Sequence, residues 1–273
     1  MTDKYAVVGN PIAHSKSPQI HAAFAKQTNQ NISYEPVLAG LDGFAATVRE
    51  LIAQGYKGLN VTVPFKFEAF HLCDELSKRA QAAGAVNTLT FSDDKITGAI
   101  KVYGDNTDGA GLISDIQSNL RHALKGSQML VLGAGGAAQG VLLPLINANP
   151  ASITIANRGL EKARNMAAKF SHEKLFISSF EELSKPFNVI INATSTGLTD
   201  TTLPIPDIIF SQHCLAYDMM YGRETLFMAQ ARANGAQVAD GLGMLVEQAA
   251  EAFYIWRGVR PLTAPVIAML RKA

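Results

Sequence analysis

The sequence is short of cysteine, of any excess of one charge and of long apolar runs, and each shortage closes off a class of protein. Its two cysteines, Cys73 and Cys214, stand far apart with no CxxC or Cys/His spacing. Reduced core thiols are therefore expected rather than a disulfide framework. His14, His21, His71, His122, His172 and His213 show no ligand spacing, and no metal is predicted. Lys and Arg number 24 against 23 Asp and Glu, a formal net charge of +1. Such a chain carries no field to gather polyanions, so nucleic acid is not an expected partner. The apolar stretches Met129 to Leu132 and Val141 to Ile146 are far shorter than the roughly 20 residues a bilayer span needs. The opening residues lead straight into strand-like Tyr5 to Val8 without a basic-then-apolar leader. A soluble, cytoplasmic protein without a membrane partner is expected, and nothing separates monomer from homodimer.

What is present is enough apolar material, 48% of 273 residues, for two cores. Strand-like Tyr5 to Val8, Tyr34 to Leu38 and Leu59 to Val63 alternate with helical Gln19 to Gln27 and Gly43 to Gln54, the pattern of parallel α/β folding. Asn87 to Phe91 and Ile96 to Val102 flank the polar cluster Ser92-Asp93-Asp94-Lys95, which reads as a hairpin turn closing an antiparallel edge. A second series starts at Gln128 to Leu132 and continues through Ser152 to Ala156 and Val189 to Ile191. Asp108 to Leu120 reads as a stiff connecting helix, and helical Met244 to Trp256 as a tail folding back onto the first half. The fold class expected is α/β. Two such domains are expected, one of residues 1–107 with 243–273 folding back onto it, and one of residues 108–242.

Leu130-Val131-Leu132-Gly133-Ala134-Gly135-Gly136-Ala137-Ala138 sets a Gly-rich turn between an apolar strand and a helix. In that context the turn reads as a dinucleotide site: Gly133 allows the tight turn, Gly135 lets backbone approach a pyrophosphate, and the helix-opening amides face the phosphates. Ala138 stands where a third glycine is common, a position that needs only close packing. The next strand ends in Ala156-Asn157-Arg158, without the carboxylate that would bind a ribose 2′-hydroxyl. Arg158 suits a 2′-phosphate, which favours NADP over NAD, although a solvated surface arginine is the plainer reading.

Gly9-Asn10-Pro11-Ile12-Ala13-His14-Ser15-Lys16-Ser17-Pro18 precedes a helix, with Ser17 at its expected N-cap and Pro18 at the first helical position. Capping alone explains Ser17; with Ser15 it would also make an uncharged carboxylate receptor. Lys66 follows the strand Leu59 to Val63, where open α/β sheets collect ligands, yet an exposed helix-start lysine would look the same. Asp108, in Gly104-Asp105-Asn106-Thr107-Asp108-Gly109, reads locally as part of a capped turn.

The ordered motifs GNPIAHSKSP, NVTVPFK, GAVNTL, GDNTDG, LGAGGAAQGVLLPL, INATSTG and DGLGMLVEQAA together resemble the shikimate dehydrogenase family over nearly the whole chain. The resemblance implies reversible reduction of 3-dehydroshikimate to shikimate by NADPH, a step of chorismate and aromatic amino acid biosynthesis, with residues 1–107 and 243–273 as the α/β substrate domain and 108–242 as a Rossmann-type doubly wound NADP-binding domain. It implies Lys66 and Asp108 as the catalytic pair, and Ser15, Ser17 and Tyr221 on the substrate carboxylate. Thr62, Asn87 and Gln248 would hold the ring hydroxyls. Gly133, Ala134, Gly135, Gly136 and Ala137, with Asn157, Arg158 and Lys162, would bind the adenine-nucleotide half of the cofactor; Ala193, Thr194, Ser195, Met219 and Gly241 would border the nicotinamide. Gly159 and Lys162 depart from the family's usual hydroxyl and arginine, which implies weaker NADP preference, and Ala99 to Tyr103 lengthens a strand region. An NAD-using quinate/shikimate dehydrogenase, a folate-linked dehydrogenase and a non-catalytic NADP-binding regulator are the competing readings. His14 and His21 read as packing or surface residues, Phe253, Tyr254 and Trp256 as core or interdomain packing, and Asp74 and Glu75 as a solvated helix start.

Overall fold

The computed structural model describes residues 2–93, 98–196 and 201–272. Two compact units emerge, Met1–Gly111 with Val246–Ala273, and Leu112–Leu245.

In the first unit, β1 (Asp3–Gly9), α1 (Ser17–Thr28), β2 (Ile32–Leu38), α2 (Phe44–Ala53) and β3 (Tyr56–Val61) form a parallel start, β1 lying between β2 and β3. They are followed by α3 (Lys66–Leu72), β4 (Glu75–Leu76), α4 (Lys78–Ala83), β5 (Thr88–Asp93) and β6 (Ile100–Asp105). The sheet order is β2-β1-β3-β5-β6-β4, with β5 antiparallel to both β3 and β6. β2 tolerates Pro36 because it is an edge strand, where a missing N–H can face outward. The antiparallel pairing expected for the Asn87 run is present, while Asp94 and Lys95 of the expected turn, and Ile96 of the following run, lie outside the described residues. Glu75, expected in a helix, instead lies in β4, whose two residues pair with Tyr103 and Gly104; Asp74 accepts the Val102 N–H at 2.8 Å. Two polar residues at a short edge strand carry too little periodicity to be read from sequence.

One face of this sheet packs Val8, Leu59, Val61 and Leu89 against Phe44, Val48, Leu51 and Phe65. Each such side chain contributes about 1.5–3 kcal/mol on burial. An aromatic cluster also belongs to the unit: Trp256 stacks on Tyr5 at 4.6 Å and donates its indole N–H to the Leu89 carbonyl at 3.1 Å. Gly58 admits that indole, since a Cβ there would lie 2.5 Å from Trp256 Nε1 and 2.6 Å from the Leu89 carbonyl oxygen. Tyr254, by contrast, is exposed, with Arg260 over its ring.

His21 lies fully buried in the same cluster, stacked on Tyr34 at 4.0 Å and nearly parallel to it. Burial pushes its pKa from 6.5 down to about 3, opposed only by the Asn60 side chain. Between pH 6.5 and 3 the unfolded chain binds a proton here that the folded chain refuses. This contribution to stability is therefore complete above pH 6.5 and is lost as pH falls, with a slope of up to about 1.4 kcal/mol per pH unit. Urea unfolding of His21→Phe from pH 7 to pH 5 should show a shallower loss than the parent by that amount. Parallel curves would contradict a neutral buried imidazole.

The second unit opens within α5 (Asp108–Ser114), which continues as one π-helical turn, Asp115–Asn119. Then come β7 (Gln128–Leu132), α6 (Gly136–Asn147), β8 (Ser152–Ala156), α7 (Leu160–Phe170), β9 (Leu175–Ser178) and β10 (Val189–Asn192). β11 (Leu215–Asp218), α8 (Leu226–Ala233) and β12 (Gln237–Ala239) complete it. α9 (Leu242–Arg257) leads back to the first unit, which ends in α10 (Ala264–Lys272). The order β12-β11-β10-β7-β8-β9, all parallel, is a doubly wound sheet whose strand order reverses between β7 and β10. Met129 and Val131 enter one core and Leu130 and Leu132 the other, which is why β7 reads as an unbroken apolar run.

Cys214 is buried and Cys73 half-buried against Gly104, so only the former is a full core residue. Burial pushes their thiols up to about 11 and about 12, leaving both protonated at neutral pH. Among the described residues no group of three or more His, Cys, Asp or Glu could hold a metal, and no helix is long and apolar enough to cross a membrane.

Candidate active site

In the first unit, β3, β5 and β6 lie side by side, and the segments leaving β3 and β6 converge with the one entering antiparallel β5. Lys66 opens α3 just beyond β3, and Asp108 opens α5 just beyond β6. Lys66 Nζ donates to Asp108 Oδ2 at 2.6 Å, with side chains 31% and 19% exposed. An ion pair so open to water adds only about 0–1 kcal/mol of stability, which leaves its placement unexplained by folding alone. Asp108 is held from three sides. Asn87 Nδ2 donates to its Oδ1 at 2.8 Å, its backbone N–H donates to Asn106 Oδ1 at 3.1 Å, and its carboxylate sits at a helix N-terminus, where negative charge is favoured.

Asn87 anchors this cluster. Its Oδ1 accepts from the Thr107 N–H and the Thr88 hydroxyl, each at 2.9 Å, and its Nδ2 also donates to Thr107 Oγ1 at 2.9 Å. Gln248 joins through Oε1, 3.4 Å from both Asn87 Nδ2 and Thr107 Oγ1, because α9 returns to this unit. Thr62 is half-buried at the end of β3, its N–H bonded to the Val8 carbonyl at 2.9 Å and its methyl group against Gly9.

Ser15 and Ser17 are also neighbours, but their roles at the helix start differ from the expectation. Lys16 occupies the N-cap position, Ser17 is the first helical residue, and Ser15 Oγ accepts the Ser17 N–H at 3.3 Å. The shift frees the Ser17 hydroxyl from capping, and that residue is buried. Pro18 remains in the first turn, where its missing N–H costs nothing.

In the second unit Gly133 has φ +103°, and a Cβ on it would stand 3.2 Å from the Ala193 carbonyl oxygen, so both conformation and the close approach of the β10 end require glycine. Gly135 and Gly136 are exposed with open space where a Cβ would stand, Ala134 and Ala137 flank them, and α6 begins without a side-chain cap. Open backbone amides at the start of a long helix fit the phosphates of a dinucleotide. Ala138 is fully buried against the sheet.

Arg158 is exposed just past β8 and Lys162 exposed in the first turn of α7, while Asn157 turns its amide to the Gly159 carbonyl at 2.9 Å. Beyond the adjacent strands β10, β11 and β12, the structure gathers Ala193, Thr194 and Ser195, Met219, and Gly241. Thr194 donates its hydroxyl to Asn192 Oδ1 at 2.7 Å, and Met219 donates its N–H to the Asn192 carbonyl at 3.1 Å. A Cβ on Gly241 would collide with the Met219 carbonyl oxygen. Tyr221 lies half-buried in this unit, its phenol pKa raised by burial. A separate hollow near β9, lined by Gln128, Thr154, Phe176 and Glu182 among others, includes none of these residues.

Sequence reasoning missed Thr107, Asn106 and Asn192 as organisers, although each lies inside a motif singled out for its neighbours. A short polar side chain two residues before a functional one is the detectable signal, because it caps the turn that aims the next residue.

A doubly wound unit with a glycine turn, together with a unit bearing an ammonium–carboxylate pair, is the build of a dinucleotide-dependent oxidoreductase. Family models match residues 7–89 as a shikimate dehydrogenase substrate binding domain, 115–200 as shikimate / quinate 5-dehydrogenase, and 241–271 as a shikimate 5'-dehydrogenase C-terminal domain. The chain belongs to the shikimate dehydrogenase family. It is 59% identical to shikimate dehydrogenase (NADP(+)) of Methylobacillus flagellatus, over 99% of this chain and 100% of that one. Among solved structures it resembles the Ael1 enzyme of Pseudomonas putida at 46% identity and TM-score 0.93, covering 98% of each chain. The shikimate 5-dehydrogenase of Thermus thermophilus, solved in complex with NADP(H) and shikimate, is similar at 32% identity and TM-score 0.87 over 99% of each chain.

Proposed function

We propose that this chain catalyses the reversible NADPH-dependent reduction of 3-dehydroshikimate to shikimate in the cytoplasm, as a step toward chorismate and the aromatic amino acids. The observation that carries the reading is the 2.6 Å contact between Lys66 Nζ and Asp108 Oδ2, with Asp108 fixed by Asn87 and Asn106. When bound, NADPH supplies the hydride that adds to the carbonyl carbon. Negative charge then grows on the carbonyl oxygen. The Lys66 ammonium donates a hydrogen bond to that oxygen and delivers its proton from Nζ. Asp108 keeps the ammonium aimed and accepts from a neighbouring ring hydroxyl through its carboxylate. Asn87, Thr62 and Gln248 hold the ring hydroxyls, and Ser15 and Ser17 the carboxylate. Gly133 to Ala137 seat the pyrophosphate, Arg158 and Lys162 the 2′-phosphate beside Asn157, and Ala193 to Ser195, Met219 and Gly241 the nicotinamide.

The test is a spectrophotometric assay with shikimate and quinate against NADP and NAD. Turnover of shikimate with NADP is expected. Cofactor binding without turnover would make the protein a regulator, and preference for quinate with NAD would move it to the other dehydrogenase class. In the same assay Arg158→Leu should raise the KM for NADP about tenfold or more, the loss of a charge-assisted hydrogen bond, and leave NAD kinetics nearly unchanged. Equal effects on both cofactors would remove Arg158 from the 2′-phosphate.

A further inference from the structure

Tyr34 belongs to none of the sequence motifs and reaches inward from the edge strand β2. Its hydroxyl donates to Asn60 Oδ1 at 2.7 Å and meets the side chain of Ser17. Asn60 Nδ2 in turn lies 3.2 Å from both the Asn87 carbonyl and Thr88 Oγ1, and the Thr88 hydroxyl donates to Asn87 Oδ1 at 2.9 Å. Asn87 holds Asp108. A continuous chain of hydrogen bonds thus joins Tyr34, which packs beside the start of α1, to the Lys66–Asp108 pair through Asn60, Thr88 and Asn87. Asn60, Thr88 and Asn87 are all buried, which makes each unmade bond costly and the chain stiff.

Tyr34 is the link in this chain fixed by packing. Its ring lies face to face on His21 at 4.0 Å, and His21 is itself wedged against Phe24, Phe253 and Trp256. Burial holds its phenol pKa well above 10, so the hydroxyl is neutral and works as a fixed donor and acceptor, with no part in proton transfer.

We propose that Tyr34 is a positioning residue for substrate binding, acting through Ser17 and Asn60 to hold the carboxylate seat at a set distance from the Lys66–Asp108 pair. The inference rests on the proposed dehydrogenase reading, and deepens it by naming what orients the serine.

Tyr34→Phe keeps the ring and its stack on His21 and removes the hydroxyl alone. The expected result is a rise of about tenfold in the KM for shikimate, with the KM for NADP and kcat each within about twofold of the parent. Because the effect runs through Ser17, adding Tyr34→Phe to Ser17→Ala should change the shikimate KM by less than about twofold further. That split between the two KM values, with its non-additivity, is a readout that general loosening would not produce. An unchanged shikimate KM, a multiplicative effect in the Ser17→Ala background, or equal rises in both KM values would each overturn the role of Tyr34 and leave the activity standing. A parent enzyme without shikimate turnover would overturn both.

Discussion

Lys66→Ala is expected to lower kcat for 3-dehydroshikimate by about 10²- to 10⁴-fold, the usual worth of a positioned proton donor. Hydride addition leaves a full negative charge on the former carbonyl oxygen unless a proton arrives, and water bound in the space left by the lysine is a far weaker acid than an ammonium. Asp108 cannot substitute, since an ionised carboxylate only accepts hydrogen bonds. Substrate affinity should change only a few-fold, because Asn87, Gln248 and the serines lie on other elements and keep their own contacts. The fold should survive too, given that the pair is partly solvated and adds little stability. Steady-state kinetics with a circular-dichroism check of folding decide it; kcat within about threefold of the parent would dismiss Lys66 as the donor.

The second unit is the more legible in sequence. β7, the glycine turn and α6 announce themselves because a strand buried on both faces must be uniformly apolar and a turn at φ +103° requires glycine. The pairing of Lys66 with Asp108 is not readable from local physics. Forty-odd residues separate them, and only the β3-β5-β6 adjacency brings their helix starts together; the family resemblance supplies what periodicity cannot. Ser17 shows the limit of capping rules, since two serines at alternate positions offer two equally good helix starts and the chain uses the earlier one as acceptor. Tyr34 leaves no signal at all, and Asn60, although it opens the motif NVTVPFK, is given no role by it. Both sit on strands whose alternation describes which face they share, whereas their importance lies in one hydrogen bond across two strands.

Asp105→Ala is expected to destabilise the protein by about 3 kcal/mol and to reduce turnover in what remains folded. Asp105 is 5% exposed and accepts four hydrogen bonds: from Arg79 Nε at 2.7 Å, Arg79 Nη2 at 2.8 Å, the Ser77 hydroxyl at 2.5 Å and the Asn106 N–H at 2.7 Å. Truncation strands a mostly buried guanidinium with Glu251 as its remaining ion-pair partner in this cluster, and leaves the buried Asn106 N–H without its acceptor. Removing one side of such a pair costs about 3–5 kcal/mol, because the other charge stays desolvated; partial exposure of Arg79 puts this case at the low end. Arg79→Ala should cost less, as Asp105 would keep Ser77 and Asn106. The activity loss follows from chain continuity. Asp105 fixes Asn106, whose side chain caps Asp108, so loosening the first residue of the turn lets the carboxylate drift from Lys66. Urea denaturation of both variants, with kcat measured under conditions where each is folded, separates the two effects. An Asp105→Ala protein with an unchanged midpoint and unchanged kcat would mean that the turn is held by its remaining bonds alone.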